Sequence, residues 1–396
     1  VISVNDSDHM HVALGRLARH DIRHLAVMDV TGKLIGWLST RQLIRQRVSD
    51  ALMIGDEIQH ASSAQDMATA LSSLPSLAAS LLSEAVPAPD IASVISGEYR
   101  HALARAAALA EEMMTASDGP PPRPFAVLVL GSAGRGESLL AADQDHAIIY
   151  DDKSTPIAEA EAQAIQSYFQ KLGGHIADIL DAAGIPYCKG GVMASNAAWC
   201  QSLTSWRNTI SGWCRSANPQ DVLMVDIFFD FALVYGDGQL GTRLQQATTG
   251  RAARQADFLK LLAKNIGHHH GGVNFFGGLK LTKGRYEVKR HLLLPLVEFL
   301  RIMAISRGVQ ARNSGERARA VLNTSTVPPE VLQLGEDVQF CMRLVLRQQI
   351  ADIAAGLPPS SMIDPDQLTD QEHKLLKAVR GRISRLDDLL QDCLFQ

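Results

Sequence analysis

A Gly-Ser pair stands twelve positions ahead of the first of two aspartates in "GSAGRGESLLAADQD", residues 131–145, and these residue types suit metal-assisted chemistry on a phosphate. Gly131 lets backbone N–H groups approach an anion, and the Ser132 hydroxyl adds a donor. A helix starting there would add free N–H groups and the positive end of its dipole. Asp143 and Asp145 flank Gln144, so on a strand both carboxylates face one side, about 7 Å apart along the backbone. If buried, they repel each other unless a hard divalent cation, Mg²⁺ or Mn²⁺, sits between them and takes phosphate oxygens as well. Two such ions would clamp the attacking and leaving oxygens of an in-line displacement. Arg135 is the nearest cation for triphosphate charge, while Glu137 could equally satisfy backbone donors at a helix start. Each half has a plain alternative, an ordinary turn for Gly-Ser and a solvated edge strand for the aspartates, with Asp151 and Asp152 close behind. Their coincidence at one point favours a site for a nucleoside triphosphate and metal.

The elements that must position these residues follow from pattern. "FAVLVL" at 125–130 is a continuous apolar run and reads as a buried strand, with a short helix through "GESLLAA" after it. "DGPPPRPF" at 118–125 is the clearest boundary, because three prolines cannot continue a helix. Downstream, "TPIAEAEAQAIQSYFQKLGGHIADILDAAGIP" reads as a helical pair with Thr155 as N-cap and Pro156 at its first position. "LMVDIFFDFALVYGD" reads as a long strand closed by Gly236. It would carry Asp226 and Asp230 on one face. After residue 250 the chain reads as helical to its end. Residues 1–49 combine a helix, strands at Leu25–Met28 and Leu34–Leu38 with a turn at Thr31-Gly32, and a further helix start at Ser39–Arg41. Residues 51–117 are rich in Ala, Ser and Leu and read as a helical spacer.

Composition bounds the rest. The 396 residues are 46% hydrophobic and 20% charged, as in a folded multidomain chain. A net charge of −4 offers nothing that would attract nucleic acid or an anionic membrane. Five cysteines without a C-x-x-C pair point to a reducing, cytoplasmic setting. No apolar run approaches the roughly 18 residues of a membrane span. The chain begins at Val1 rather than Met, which suggests a piece of a longer protein.

The motif resembles the G-S-x-G-R-x-E…D-x-D signature of DNA-polymerase-β-like nucleotidyltransferases. The branch it is most similar to joins CBS domains to a nucleotidyltransferase and a C-terminal substrate-binding domain in bacterial signal transduction. Its relatives include PII uridylyltransferase and glutamine synthetase adenylyltransferase. "GGVMASN" at 190–196, "FFDFALVYGD" at 228–237 and the helical tail extend the likeness over most of the chain. The resemblance implies an α+β multidomain chain: a CBS-like half-motif over 1–50, the spacer over 51–118, a mixed-sheet transferase core over 119–245 and a helical bundle over 246–396. It implies transfer of an NMP group from Mg-NTP to a hydroxyl of a protein or small molecule. Asp143 and Asp145 would be joined by a third metal-binding carboxylate at Asp230, with Asp226 as runner-up. Gly131, Ser132 and Arg135 would hold the triphosphate, and Ser195 and Asn196 would border the nucleotide. An Arg often follows the F-F-D aspartate by two positions in that branch, but here the residue is Ala232. That departure keeps open a nucleotide sensor without turnover. CBS motifs pair to bind adenine nucleotides, so the single copy implies a homodimer or a missing half before Val1, or else a packing element only.

Other features carry two readings each. Trp199, Trp206 and Trp213 share a helical face, for ligand stacking or, as aromatic burial favours, for packing. "GGVMASN" is a nucleotide border or a tight turn and cap. "HHH" at 268–270 is more readily a surface or interface cluster than a metal site, because consecutive residues rarely turn three nitrogens to one ion. Lys289 faces the triphosphate or solvates a helix end.

Overall fold

The computed structural model describes residues 2–6, 8, 16, 24–39, 53–152, 158–215, 224, 227–252, 259, 262–263, 266, 271–273, 278–323 and 328–395. At the N-terminus, β1 (Ser3–Asn5), β2 (His24–Met28) and β3 (Leu34–Ser39) form a small sheet, parallel between the first pair and antiparallel between the second. The helix expected before β2 and the helix start after β3 lie outside the described residues, one helical position at residue 16 apart.

Helices α1 (Ala64–Leu71), α2 (Leu74–Ser83) and α3 (Ala88–Asp118) follow. The last ends at Gly119, immediately before the prolines that forbid its continuation. It packs against the four-stranded sheet that follows, with Ile91, Ile95, Leu103 and Met114 in a core shared with Phe125, Val127 and Ile148.

That sheet has the order β6-β5-β4-β7 and is mixed. Strand β4 (Phe125–Val129) is buried at every position, as a central strand with both faces covered should be. Next comes α4 (Gly131–Arg135), a single short turn that begins at the Gly-Ser pair and is closed by left-handed Gly136. The helix therefore precedes "GESLLAA" instead of running through it. Strand β5 (His146–Tyr150) returns antiparallel to β4, pairing Val129 with His146. Asp143 and Asp145 lie in the extended lead-in to β5, just outside the strand proper.

Helix α5 (Glu159–Ala182) is one 24-residue helix, not a pair. Its Gly173 does not break it; that position has backbone of Ala194 so near that a Cβ would fall 2.4 Å from the carbonyl carbon. Thr155 and Pro156 lie outside the described residues. A 3-10 turn at Ala197–Trp199, β6 (Cys200–Ser202) and α6 (Leu203–Arg215) complete this side. Trp199, Trp206 and Trp213 are all buried and pack with Phe228 and Phe231, and Trp206 Nε1 donates to the Ile148 carbonyl at 3.1 Å. They are core.

The long strand expected over "LMVDIFFDFALVYG" is short: β7 covers only Ala232–Gly236. Residues 227–228 are helical and 229–230 form a turn, so Asp230 enters from a bend and not from a strand face. Asp226 lies outside the described residues.

The C-terminal region contains α7 (Gly238–Ala252), α8 (Leu294–Ser306), α9 (Ser314–Leu322), α10 (Glu330–Ala354), α11 (Asp370–Ile383) and α12 (Leu386–Phe395). It is not wholly helical. Strands β8 (Leu281–Thr282), β9 (Arg285–Glu287) and β10 (Met362–Ile363) form a small antiparallel sheet, turned at Lys283-Gly284 where both φ angles are positive. A π turn at Lys289–Leu293 runs directly into α8, and Pro295, which has no N–H to donate back into it, stands just after that turn. One hydrophobic core joins Leu128 and Ile149 of the four-stranded sheet to Leu296, Phe299 and Leu300 of α8.

Candidate functional site

The hairpin made by β4 and β5 does most of the positioning. Antiparallel pairing carries on past the strand ends, with the Leu130 N–H donating to the Asp145 carbonyl at 2.9 Å. Gly131 and Asp145 are thereby brought side by side. Gly131 has φ +56°, and a Cβ there would lie 2.6 Å from Asp145 Oδ2. Glycine is needed for both reasons. Gly134 is needed for a different one, since a Cβ would lie 2.3 Å from the Asp230 carbonyl oxygen. The motif's glycines thus admit one aspartate side chain and one aspartate backbone. Gly131→Ala is expected to push the Asp145 carboxylate aside and weaken divalent-cation binding by tenfold or more, read by calorimetric titration of Mn²⁺; the short β4–β5 connection is expected to survive, read by an unchanged far-UV spectrum.

Gln144 points the other way. It is buried, and its side-chain amide donates to the carbonyls of Ala177 and Ile185 at 2.9 and 2.8 Å, which locks the lead-in and leaves Asp143 and Asp145 on the open side. His146 is fully buried, its Nδ1 accepting from the Ala194 N–H at 3.3 Å, and burial pushes its imidazole down to about 4, so it stays neutral. This bond and the His146 N–H to the Val192 carbonyl at 3.0 Å draw the loop at 188–196 against the hairpin.

That loop delivers a residue the sequence reading missed. Asp143, Asp145 and Cys188 each present a donor atom, all within 4.8 Å of one another. Burial, with Asp143 adding repulsion, pushes the Asp145 carboxyl up to about 6 despite a hydrogen bond from Cys188 and the charges of Lys289 and Arg135. Burial, then Asp145, pushes the Cys188 thiol up to about 11. The donor set fits a divalent cation: two crowded carboxylates, one held above its ordinary range for want of positive charge, with a neutral thiol orienting it. Cys188→Ala is expected to weaken Mn²⁺ binding about tenfold, as losses of groups that orient a ligand do, and Cys188→Ser to restore it by keeping an O–H donor. The sequence signal was a cysteine within "CKGGVMASN", two residues ahead of a loop already singled out.

Asp230 is not brought to this group. Its carboxylate is completely buried and accepts from Arg135 Nη1 at 2.8 Å, Arg301 Nε and Nη2 at 3.1 and 2.7 Å, and Arg317 Nη2 at 2.5 Å. Burial alone would raise this carboxyl, but Arg301, Arg317 and Arg135 overcome it and hold it well below the usual carboxylate range. Three guanidiniums from α4, α8 and α9 converge on one anion that the sequence reading had offered to metal. Arg135 also donates to Glu137 Oε2 at 2.8 Å, and Glu137 Oε1 accepts the first backbone N–H of α9, from Ser314, at 2.5 Å. These bonds tie the four-stranded sheet to the C-terminal helices. Arg301 had a legible signal, a charge in the middle of "LPLVEFLRIMAIS".

The result is a cleft of about 420 Å³ between the two regions. Gly131, Ser132, Asp143 and Asp145 line it on one side, and Lys289, Arg301, Met342 and Ser361 on the other. Arg135 lines it too, although its fork is committed to two carboxylates. Ser132 Oγ lies 2.9 Å from Ser138 Oγ, whose backbone N–H is held by Ser96 of α3. Lys289 is exposed at the π turn. Ser195 and Asn196 do not line the cleft; Asn196 caps the 3-10 turn by accepting from the Ala198 N–H at 3.1 Å, and Ser195 is exposed. The histidines at 268–270 lie outside the described residues.

Three stretches of the chain match known families. Residues 72–220 match a family described as "Putative nucleotidyltransferase DUF294", and residues 256–393 match its "Putative nucleotidyltransferase substrate binding domain". Residues 1–49 match the CBS domain. The chain has the architecture of the CBS-linked nucleotidyltransferases. No curated protein matches it. The nucleotidyltransferase match begins at residue 72, so it takes in α3, whose Ser96 and Arg100 brace the Gly131–Gly136 turn. The substrate-binding match supplies the wall with Lys289 and Arg301. Among the described residues no helix is long and apolar enough to cross a membrane.

Proposed function

We propose that this nucleotidyltransferase moves an NMP group from a metal-bound nucleoside triphosphate to a hydroxyl of a protein or small molecule. The observation that carries this reading is the placing of Asp143 and Asp145 against the Gly131–Ser132 bend, in a cleft walled by the substrate-binding region. A Mg²⁺ or Mn²⁺ ion held by Asp143 and Asp145 would supply charge neutralisation for the triphosphate. The backbone at Gly131 and the hydroxyl of Ser132 receive phosphate oxygens, and Lys289 faces them across the cleft. The acceptor oxygen bonds to the α-phosphorus as the bond to the bridging oxygen breaks; pyrophosphate leaves with the electron pair, and the acceptor proton passes to solvent. Regulation by an adenine nucleotide at a paired CBS module, a homodimer, a cytoplasmic location and a role in signal transduction extend the same reading.

The second reading, nucleotide binding without turnover, is favoured by one observation: Asp230 is engaged by three arginines and leaves Asp143 and Asp145 without a third aspartate. Incubation with each α-labelled NTP, Mg²⁺ or Mn²⁺ and cell extract separates the two. Label covalently attached to an acceptor is the expected result, whereas saturable binding with no labelled product selects the sensor.

A further inference from the structure

A second cleft, of about 580 Å³, adjoins the first and shares Arg135, Glu137, Val338 and Met342 with it. Gly134 and Gly136 border it, on the far side of the α4 turn from the Asp145 contact. Three more guanidiniums reach it: Arg100 from α3, Arg312 from the loop before α9, and Arg319 from the last turn of α9. None of these three is ion-paired among the described residues. Arg100 is aimed by two backbone carbonyls, Nε donating to Ala133 at 2.8 Å and Nη2 to Gly134 at 3.0 Å, which leaves Nη1 for a ligand. Arg312 donates from Nη2 to Gln245 at 3.1 Å, and its Nε is buried without a partner. Burial and the charge of Arg312 depress the proton affinity of Arg100, so the two cations crowd each other.

The acidic residues of this cleft do not relieve that crowding. Glu137 is spent on Arg135 and Ser314, while Asp90 and Glu316 are exposed, where water screens them. Arg100 and Arg312, half-buried and close together without a counter-charge, are costly, and a phosphate's several oxygens satisfy planar forks from more than one direction. No carboxylate pair comparable to Asp143 and Asp145 is present, so the cleft calls for an anion without a metal.

We propose that this cleft is a metal-independent site for a small phosphate-bearing anion, gripped by Arg100, Arg312 and Arg319 beside the nucleotide cleft. It does not depend on turnover at Asp143 and Asp145. A phosphorylated acceptor and a phosphorylated effector share this chemistry; in the labelled-NTP reaction an acceptor would take up label, and an effector would change the rate without being labelled.

Calorimetric titration of the whole chain with inorganic pyrophosphate, in EDTA, tests the site. Saturable binding is expected, kept by the Asp143→Asn/Asp145→Asn variant and weakened at least about tenfold by Arg312→Gln and by Arg319→Gln. Arg319 is exposed, so its replacement is expected to leave the urea midpoint unchanged. Absence of binding by the wild type overturns the proposal. So does binding that ignores both arginine replacements. The labelled-NTP experiment fails or succeeds independently of both outcomes.

Discussion

Replacing Asp230 by alanine is expected to destabilise the protein by about 3–5 kcal/mol, the cost of leaving buried charges without their partner. The carboxylate has no exposed surface and engages Arg135, Arg301 and Arg317, of which the latter two are themselves buried. Without it, three guanidiniums face one another in a low-dielectric interior. Asp143→Ala provides the control. That residue is exposed, and its loss is expected to change stability by less than about 1 kcal/mol. Urea unfolding of the two variants therefore separates a structural anion from a metal ligand. Equal, small effects would return Asp230 to the metal site. The pH dependence has a definite sign: the folded-state pKa of Asp230 is depressed, so its contribution is present above the unfolded value near 4 and is lost as pH falls below it. Acid unfolding is expected to begin in that range and to be accompanied by separation of the C-terminal helices from the transferase sheet, since α8 and α9 carry two of the three arginines.

Asparagine at both 143 and 145 is expected to do the reverse. Affinity for Mn²⁺ should fall at least about a hundredfold, roughly 3 kcal/mol, and Mg²⁺-dependent pyrophosphate release should vanish. At the same time the metal-free protein should become more stable at pH 7.5. The Asp145 carboxyl is raised from its ordinary range to about 6, so the folded state binds this proton more tightly than the unfolded chain does. Stability from that proton is fully present below about pH 4 and is lost as pH rises through 6, a penalty of about 2–3 kcal/mol that Asp145→Asn removes. Thermal melts in EDTA at pH 5 and 7.5 read the penalty directly, and the wild type should gain more from Mn²⁺ at the higher pH. Undiminished pyrophosphate release by the double variant would sink the metal assignment.

Local order in the chain explains what was readable before any coordinates. Gly131, Ser132, Asp143 and Asp145 belong to one antiparallel hairpin, so their meeting needs only the pairing of two adjacent apolar strands. The apolar run of β4, the proline boundary and the alternation of Asp143, Gln144 and Asp145 are all properties of short segments. Lengths of elements were less legible. The segment from Thr155 to Pro186 reads as a pair of helices, but its helix Glu159–Ala182 is unbroken, and a neighbouring loop packs closely on Gly173. The apolar "FFDFALVYG" looked like one strand, but burial of a charge network turned its first half aside.

The amino-acid sequence by itself determined the glycine bend, the paired aspartates and the hairpin that carries them, because each is encoded by neighbours along the chain. Tertiary structure alone decided what Asp230 and Cys188 are for. The three arginines around Asp230 lie 71, 87 and 95 positions away, and Cys188 reaches Asp145 because bonds from Gln144 and His146 hold the segment around it. A carboxylate binds metal or guanidinium according to which cation arrives in its buried surroundings. That depends on how distant helices pack, not on the residues beside it.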